Sequence, residues 1–287
     1  MDNFLKKNRA IGITIIALVY VIAAALAIYM YKKLTFSPWL NLLIADAIGT
    51  LTVFIFSVLF DNASVYDPYW SVAPMVTLTA FFIGKGFSVS GLCVLIAVLL
   101  WGIRLTANWG YTFRGLGTQD WRYTLLEEKT GALYPIVNFF GIHLVPTLVV
   151  YAAMLPAVYI IENKIPFNVG VLVFAILAIL SALMQGFADC QMHKFRKENK
   201  NARKPSFIRV GLWKNSRHPN YLAEILTWWS IALAGVCASF WYLIGGAVLV
   251  TLLFLFISIP MADEHQARKK NFQKYKKETR MLLPFKK

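Results

Sequence analysis

The chain has 287 residues, of which 58% are hydrophobic and only 15% charged, with a formal net charge of +15. Such a composition excludes an ordinary soluble domain and fits a chain that crosses a bilayer many times. The positive balance has no nucleic-acid-binding motif beside it, so it reads as membrane topology and an anionic ligand, with no nucleic-acid partner.

Lys6, Lys7 and Arg9 precede an apolar run from Ala10 to Met30. That run is longer than the core of a signal peptide, and more apolar runs follow, so it is expected to be the first membrane span. Further segments fall at 39–60, 66–84, 89–111, 136–161, 167–190, 220–238 and 240–260. Each is close to the ~20 residues that cross a hydrocarbon core. The last two form one run, divided near Ala238–Ser239 because a helix of about 40 residues overshoots a bilayer. The expectation is an all-α fold: a polytopic transmembrane helical bundle of seven or eight spans, eight preferred. Residues 1–287 form a single integral membrane domain.

Eight spans put both termini on one side. Segment 191–218 carries nine Lys/Arg against Glu198, and tail 262–287 carries nine against three acids. The opposite loops hold only Lys32, Lys33, Lys85 and Lys164. The excess of basic residues assigns the termini and the basic loops to the cytoplasm. Asp61–Tyr66 and Arg114–Tyr134 fall on that same side. Cys93, Cys190 and Cys237 form no paired motif and read as small core residues. No His/Cys/carboxylate set has ligand spacing, so no metal is expected.

Asp67, Arg104, Gln185, Asp189, Asn220 and Glu224 lie within or at the ends of apolar spans. Polar side chains are costly there, and six gathered near one membrane face point to a polar pocket between helices, a cavity open to the cytoplasmic face. Gln185, Asp189, His193 and Arg196 share one helical face, and Asn220, Glu224 and Trp228 another. Arg104, Arg114, Arg122, Arg196 and Arg217 suit phosphates. Asp189, Asn220 and Glu224 suit ribose hydroxyls or a carboxamide. The combination fits a nucleotide, although neither GxGxxG nor GxxxxGK[ST] is present. A second cluster runs Ser64-Val65-Tyr66-Asp67-Pro68-Tyr69-Trp70. Asp67, with Tyr66 or Tyr69, is its candidate proton donor to a carbonyl oxygen.

The stretch from Gly211 to Glu224, containing Ser216-Arg217-His218-Pro219-Asn220-Tyr221, resembles the C-terminal signature of steroid 5-alpha-reductase-like membrane proteins. It is most similar to their bacterial branch, DUF1295. Asp67-Pro-Tyr-Trp70, Trp101–Leu105, Gly117–Tyr123, Asp189–Arg196 and the tail from Tyr275 to Phe285 match in order. The resemblance implies NADPH in a cytoplasm-facing cavity. It also implies hydride transfer to a carbon–carbon double bond conjugated to a carbonyl in a lipophilic substrate. It places Arg104, Asp189, Arg196, Asn220 and Glu224 on the cofactor, and Asp67 where the family's active-site glutamate holds the carbonyl. Asp120, His218 and Tyr221, inside matched segments, complete the expected cofactor set. Two departures stand out: Tyr66 replaces the glutamine that precedes that acid, and no tyrosine lies near Ser90. The alternatives are an S-adenosylmethionine-dependent methyltransferase of the isoprenylcysteine carboxyl type, and a non-enzymatic lipid-binding or transport protein. An acidic juncture such as Asp263-Glu264 occurs in both enzyme families and does not separate them.

Overall fold

The structure, a computed structural model, describes residues 8–200 and 207–284. Of the residues weighed above, Lys6, Lys7, Arg203, Lys204, Phe285, Lys286 and Lys287 lie outside that range. Among the described residues there is no strand, only an isolated bridge between Ser216 and Arg280.

Six helical segments are long and apolar enough to cross a membrane: Arg9–Lys33, Pro38–Phe60, Val89–Thr112, Trp121–Glu162, Val169–Glu198 and Trp241–Ala267. The protein is therefore a multi-pass helical membrane protein. The two remaining expected spans are shorter helices, Tyr69–Lys85 of 17 residues and Pro219–Cys237 of 19. The Asp67 cluster leads into the first of these helices, and Asn220 lies in the first turn of the second. The expected count of seven to eight spans thus holds as an approximation.

The long helices are α1 (Arg9–Lys33), α2 (Pro38–Phe60), α3 (Tyr69–Lys85) and α4 (Val89–Thr112). After a short helix, α5 (Trp121–Thr130), come α6 (Val145–Glu162), α7 (Val169–Glu198) and α8 (Pro219–Cys237). The chain ends in α9 (Gly245–Leu253), α10 (Ile259–Ala267) and α11 (Phe272–Glu278).

Local chemistry sets these boundaries. The side chains of Asn8, Ser88 and Asn168 each accept a hydrogen bond from a first-turn amide of α1, α4 and α7. Pro38 and Pro219 occupy first-turn positions, where the missing N–H costs nothing. Asp61 closes α2 with φ 54°. The division expected near Ala238–Ser239 is present: α8 stops at Cys237 and Ser239 turns the chain with φ 71°. Two π-helical stretches, Asn138–Leu144 and Phe254–Ser258, interrupt otherwise regular helices. Such bulges often mark functional positions.

α8 packs along α7 and against α6, while α4 packs on α7 and on α3. Buried apolar residues of these helices form one core around Trp101, Met154, Trp228 and Ile231. A second core joins α1 and α2 to the 63–69 connection and to Phe113 and Leu116. α1 lies along α2 but barely meets α3. The cysteines depart from expectation: Cys93 and Cys237 are half-buried and Cys190 is exposed, because residue 190 falls on the outward face of α7.

Candidate functional site

Glu224 is the most enclosed charged group, with 0% exposure. Its Oε1 accepts from Trp101 Nε1 at 3.0 Å and Trp228 Nε1 at 2.9 Å. Its Oε2 accepts from Trp101 Nε1 at 2.9 Å and Gln185 Nε2 at 2.8 Å. Three N–H groups thus meet the roughly four acceptor positions of a carboxylate, Trp101 sharing its single hydrogen between the two oxygens. Trp228 sits one turn from Glu224 on α8, whereas Trp101 and Gln185 come from α4 and α7. The buried acid therefore ties three helices together at one point.

Arg104 lies one turn below Trp101 on α4 and donates from Nη1 to Asp189 Oδ2 at 2.6 Å. Its Nε and Nη2 are buried without a hydrogen-bond partner, as are Gln185 Oε1 and Asn220 Oδ1. Buried polar groups are normally paired. Here four unpaired atoms, donors and acceptors both, belong to three helices that meet at Glu224. Next along α7, His193 Nε2 meets Asn108 Oδ1 at 2.7 Å, as the shared helical face predicts. Tyr221 lies within electrostatic reach of Arg122, Asp120 and Asp189, and Arg196 within reach of Asp189. Arg114 and Arg196 are exposed. Arg104, Asp189, Asn220, Tyr221 and Glu224 are thus gathered at the junction of α4, α7 and α8, whereas Asp120 and Arg122 stand at the head of α5.

Arg217 and His218 face elsewhere. Arg217 Nη2 and His218 Nε2 each lie 3.0 Å from an oxygen of buried Asp263 in α10. Arg217 Nη1 also donates to the Thr279 carbonyl at 2.6 Å, and Lys276 Nζ approaches Asp263 at 3.2 Å. The Tyr275 hydroxyl donates to the Trp213 carbonyl. These bonds fasten the tail across the start of α8.

The second cluster is built by a turn that re-enters the bundle. Asn62 Oδ1 caps Ser64 N at 2.9 Å, and Asn62 Nδ2 donates to the Leu116 carbonyl at 2.7 Å. Ser64 Oγ accepts the Asp120 amide at 2.8 Å, and Tyr123 donates to Asp67 Oδ1 at 2.5 Å. Burial pushes the Asp67 carboxyl up to about 6; Arg122 opposes that shift and Asp120 adds to it. Burial also acts to raise Asp120, but its ion pair with Arg122 at 2.8 Å holds that carboxyl below its ordinary value. The Tyr66 hydroxyl meets Thr147 Oγ1 at 2.8 Å, and its ring lies 4.8 Å from that of buried His143. Tyr69 donates to Asp46 Oδ1 at 3.2 Å. Trp70 sets its ring 6.1 Å from Trp101, edge to face, which joins this cluster to the Glu224 junction.

Asp46 and His143 were not singled out in the sequence. Trp101 and Tyr123 entered only within matched segments, and Asp263 only in a shared acidic juncture, without a role. Asp46 carried the clearest signal, a lone acid inside an apolar span. Among the described residues no cluster of His, Cys and carboxylates has the geometry of a metal site.

Comparison with known proteins gives a consistent but spare result. The family model for DUF1295, a protein of unknown function, matches residues 53–279, which include both clusters and the tail as far as Thr279. An uncharacterized protein of the fission yeast Schizosaccharomyces pombe is 27% identical over 210 residues. That alignment covers 64% of this chain and 60% of the yeast protein's length. No solved structure matches. With most of its length under one family model, and with both polar clusters inside that match, the chain belongs to the DUF1295 family.

Proposed function

We propose that the chain is a membrane-embedded, NADPH-dependent reductase acting on a carbon–carbon double bond conjugated to a carbonyl in a lipophilic substrate. The observation that carries this reading is the set of unpaired buried atoms on Arg104, Gln185 and Asn220, next to the Asp67–Tyr123 pair through Trp70 and Trp101. The donor set fits the cofactor. Arg104, Arg122 and Arg196 supply charge for phosphates, while Asn220, Gln185 and Asp189 supply groups for ribose hydroxyls and a carboxamide. When bound, the nicotinamide supplies the hydride. The chain's own part is to hold the substrate carbonyl: Asp67, or Tyr69 beside it, donates a proton to the oxygen and stabilises the developing enolate. Glu224, held by three protein N–H groups, acts by orienting Gln185 and the two indoles. The basic face, with the Arg/Lys-rich 191–218 segment and the tail, reads as cytoplasmic.

The direct test is oxidation of NADPH by purified protein offered a panel of lipophilic enones. Absence of turnover with every enone, in protein shown to bind NADPH, would contradict the reading. The Asp67 carboxyl gives the activity a defined pH dependence. Its pKa is raised to about 6, so the folded protein keeps this proton at pH values where an ordinary aspartate has lost it. Donation is present below about 6 and fades above it. In the wild type, kcat/KM is expected to fall up to about tenfold per pH unit above that value. Asp67→Asn should be slower and flat across the same range. A wild-type profile retained by Asp67→Asn would remove Asp67 from the role.

A further inference from the structure

His143 is a buried titratable side chain with no part in the reaction proposed above. It is 0% exposed, and Asn138, five residues before it, is 6% exposed. Both stand on the π-helical stretch Asn138–Leu144. The wider turn of that stretch brings His143 Nδ1 to 2.9 Å from the Asn138 carbonyl. A carbonyl only accepts, so Nδ1 carries the hydrogen and Nε2 of the neutral ring is a bare acceptor. Among the described residues Nε2 has no hydrogen-bond partner, and neither has Asn138 Oδ1. Two buried acceptors, on residues already joined ring to backbone, require a donor with two hydrogens. An apolar cavity of about 320 Å³ lies between α1, α2 and α3, lined in part by Asp46 and Tyr69, but neither His143 nor Asn138 reaches it. Enclosed to this degree, the two acceptors suit a water molecule, which when buried typically serves about three such groups.

From His143 a line of hydroxyls leads across the bundle. The Tyr66 ring lies 4.8 Å from the imidazole, and its hydroxyl meets Thr147 Oγ1 at 2.8 Å. Thr147, one turn beyond His143, meets Thr50 Oγ1 at 3.0 Å. Thr50 is within hydrogen-bond reach of the Tyr69 hydroxyl, which donates to Asp46, one turn before Thr50 on α2. Gly49 makes room for that hydroxyl, since a Cβ there would collide with it. Every side chain in the line is buried. Each hydroxyl donates one hydrogen and also accepts, so a continuous line of them can pass a proton. Thr147 donates its own hydrogen to the His143 carbonyl at 2.9 Å, so Tyr66 and Thr50 both donate to Thr147. Its hydrogen must swing to Thr50 before a proton can pass, which makes Thr147 the gate.

We propose that His143 Nε2 and Asn138 Oδ1 hold one buried water, and that this water supplies protons through Tyr66, Thr147 and Thr50 to Tyr69. The proposal deepens the reductase reading and rests on it for the use of the proton. Reduction of a conjugated double bond consumes one proton for each hydride. When the Tyr69 O–H breaks to protonate the substrate carbonyl, the phenolate takes a proton from Thr50. Thr50 is refilled from Thr147, Thr147 from Tyr66 and Tyr66 from the water, each new O–H forming as the next one breaks. A proton of bulk water, accepted by His143 at Nε2 and passed on, restores the buried water. His143 and Thr147 are relay residues and touch no substrate.

The first test is a cryo-electron microscopy structure of the full chain in nanodiscs, at a resolution that shows ordered water. One density is expected at about 2.7–3.2 Å from both His143 Nε2 and Asn138 Oδ1, and His143→Phe should lose it. The second is steady-state kinetics in H2O and D2O with an enone that the wild type reduces. Thr147→Val should lower kcat at least about tenfold at unchanged KM, and should raise the solvent deuterium isotope effect on kcat. Thr147→Ser, which keeps the hydroxyl, should restore both. Absence of density beside His143 would overturn the proposal. So would a Thr147→Val enzyme with wild-type kcat and isotope effect, or a Thr147→Ser enzyme as slow as Thr147→Val. Density beside His143 in a protein that reduces no enone would keep the water site and remove the reductase reading, and with it the proton supply. Enone reduction without that density would do the reverse.

Discussion

Asp263→Ala is expected to destabilise the protein by about 3–5 kcal/mol, the usual cost of removing one partner from a buried ion cluster. Asp263 is 5% exposed and Arg217 8%, so the guanidinium left behind stays largely out of water. Its carboxylate answers Arg217, His218 and Lys276 at once. Without it, Arg217 and His218 have no anion at the head of α8, and the tail loses its anchor there. The backbone bond from Arg217 N to the Arg280 carbonyl, 3.0 Å, and the Tyr275–Trp213 bond then hold the tail with less support. Thermal unfolding in detergent measures the effect. Lys276→Ala is the internal control. Its side chain is 45% exposed, so its pairing with Asp263 is worth about 0–1 kcal/mol. Equal losses for the two variants would show that the cluster does not fasten the tail.

Glu224→Gln is expected to be the second most damaging conservative change. The carboxylate accepts from two indoles and one amide, all buried. Glutamine keeps one accepting oxygen for the two indoles but offers Gln185 an NH2 in place of an acceptor. Gln185 must then either turn its own oxygen toward it, giving up its present orientation, or lose its partner. Leaving a buried donor unsatisfied costs about 1–3 kcal/mol, and the charge-assisted bonds lost add to it. Double-mutant cycles in membranes give smaller pair values, about 0.6 kcal/mol on average, so a total of roughly 2–4 kcal/mol is expected. Arg104→Ala should separate from it. That change removes the unpaired Nε and Nη2 and should weaken NADPH more than it lowers the melting temperature. If Glu224→Gln leaves both stability and NADPH affinity unchanged, the junction is not what joins α4, α7 and α8.

The parts of this architecture visible in the sequence are those carried by local spacing. Apolar runs of membrane-crossing length became helices, and the break near Ser239 was legible because one helix of that length overshoots a bilayer. Gln185, Asp189 and His193 were legible as one face because four-residue steps on α7 align them. What they meet was not legible. Glu224 finds Trp101 across 123 residues, and Arg104 finds Asp189 across 85. No short-range pattern encodes such pairings. The basic face drew attention because its polar residues cluster in sequence. Asp46 stands alone in an apolar run, and its partner Tyr69 belongs to another helix. Arg217 was assigned to a phosphate by charge and His218 to the cofactor by its place in a matched segment, but the side chain that meets both is Asp263, 46 and 45 residues away. The π-helical stretch that carries His143 toward Tyr66 leaves no trace in hydrophobic periodicity.

On the proposed function, the unpaired atoms around Arg104, Gln185 and Asn220 receive NADPH. Thermal unfolding of the detergent-purified protein with NADPH and with S-adenosylmethionine tests it most directly. A ligand present at about a hundred times its Kd stabilises the folded state by about 2.7 kcal/mol, a shift of several degrees. That shift is expected with NADPH, with its loss in Arg104→Ala and none with S-adenosylmethionine. Stabilisation by S-adenosylmethionine with none by NADPH would contradict it.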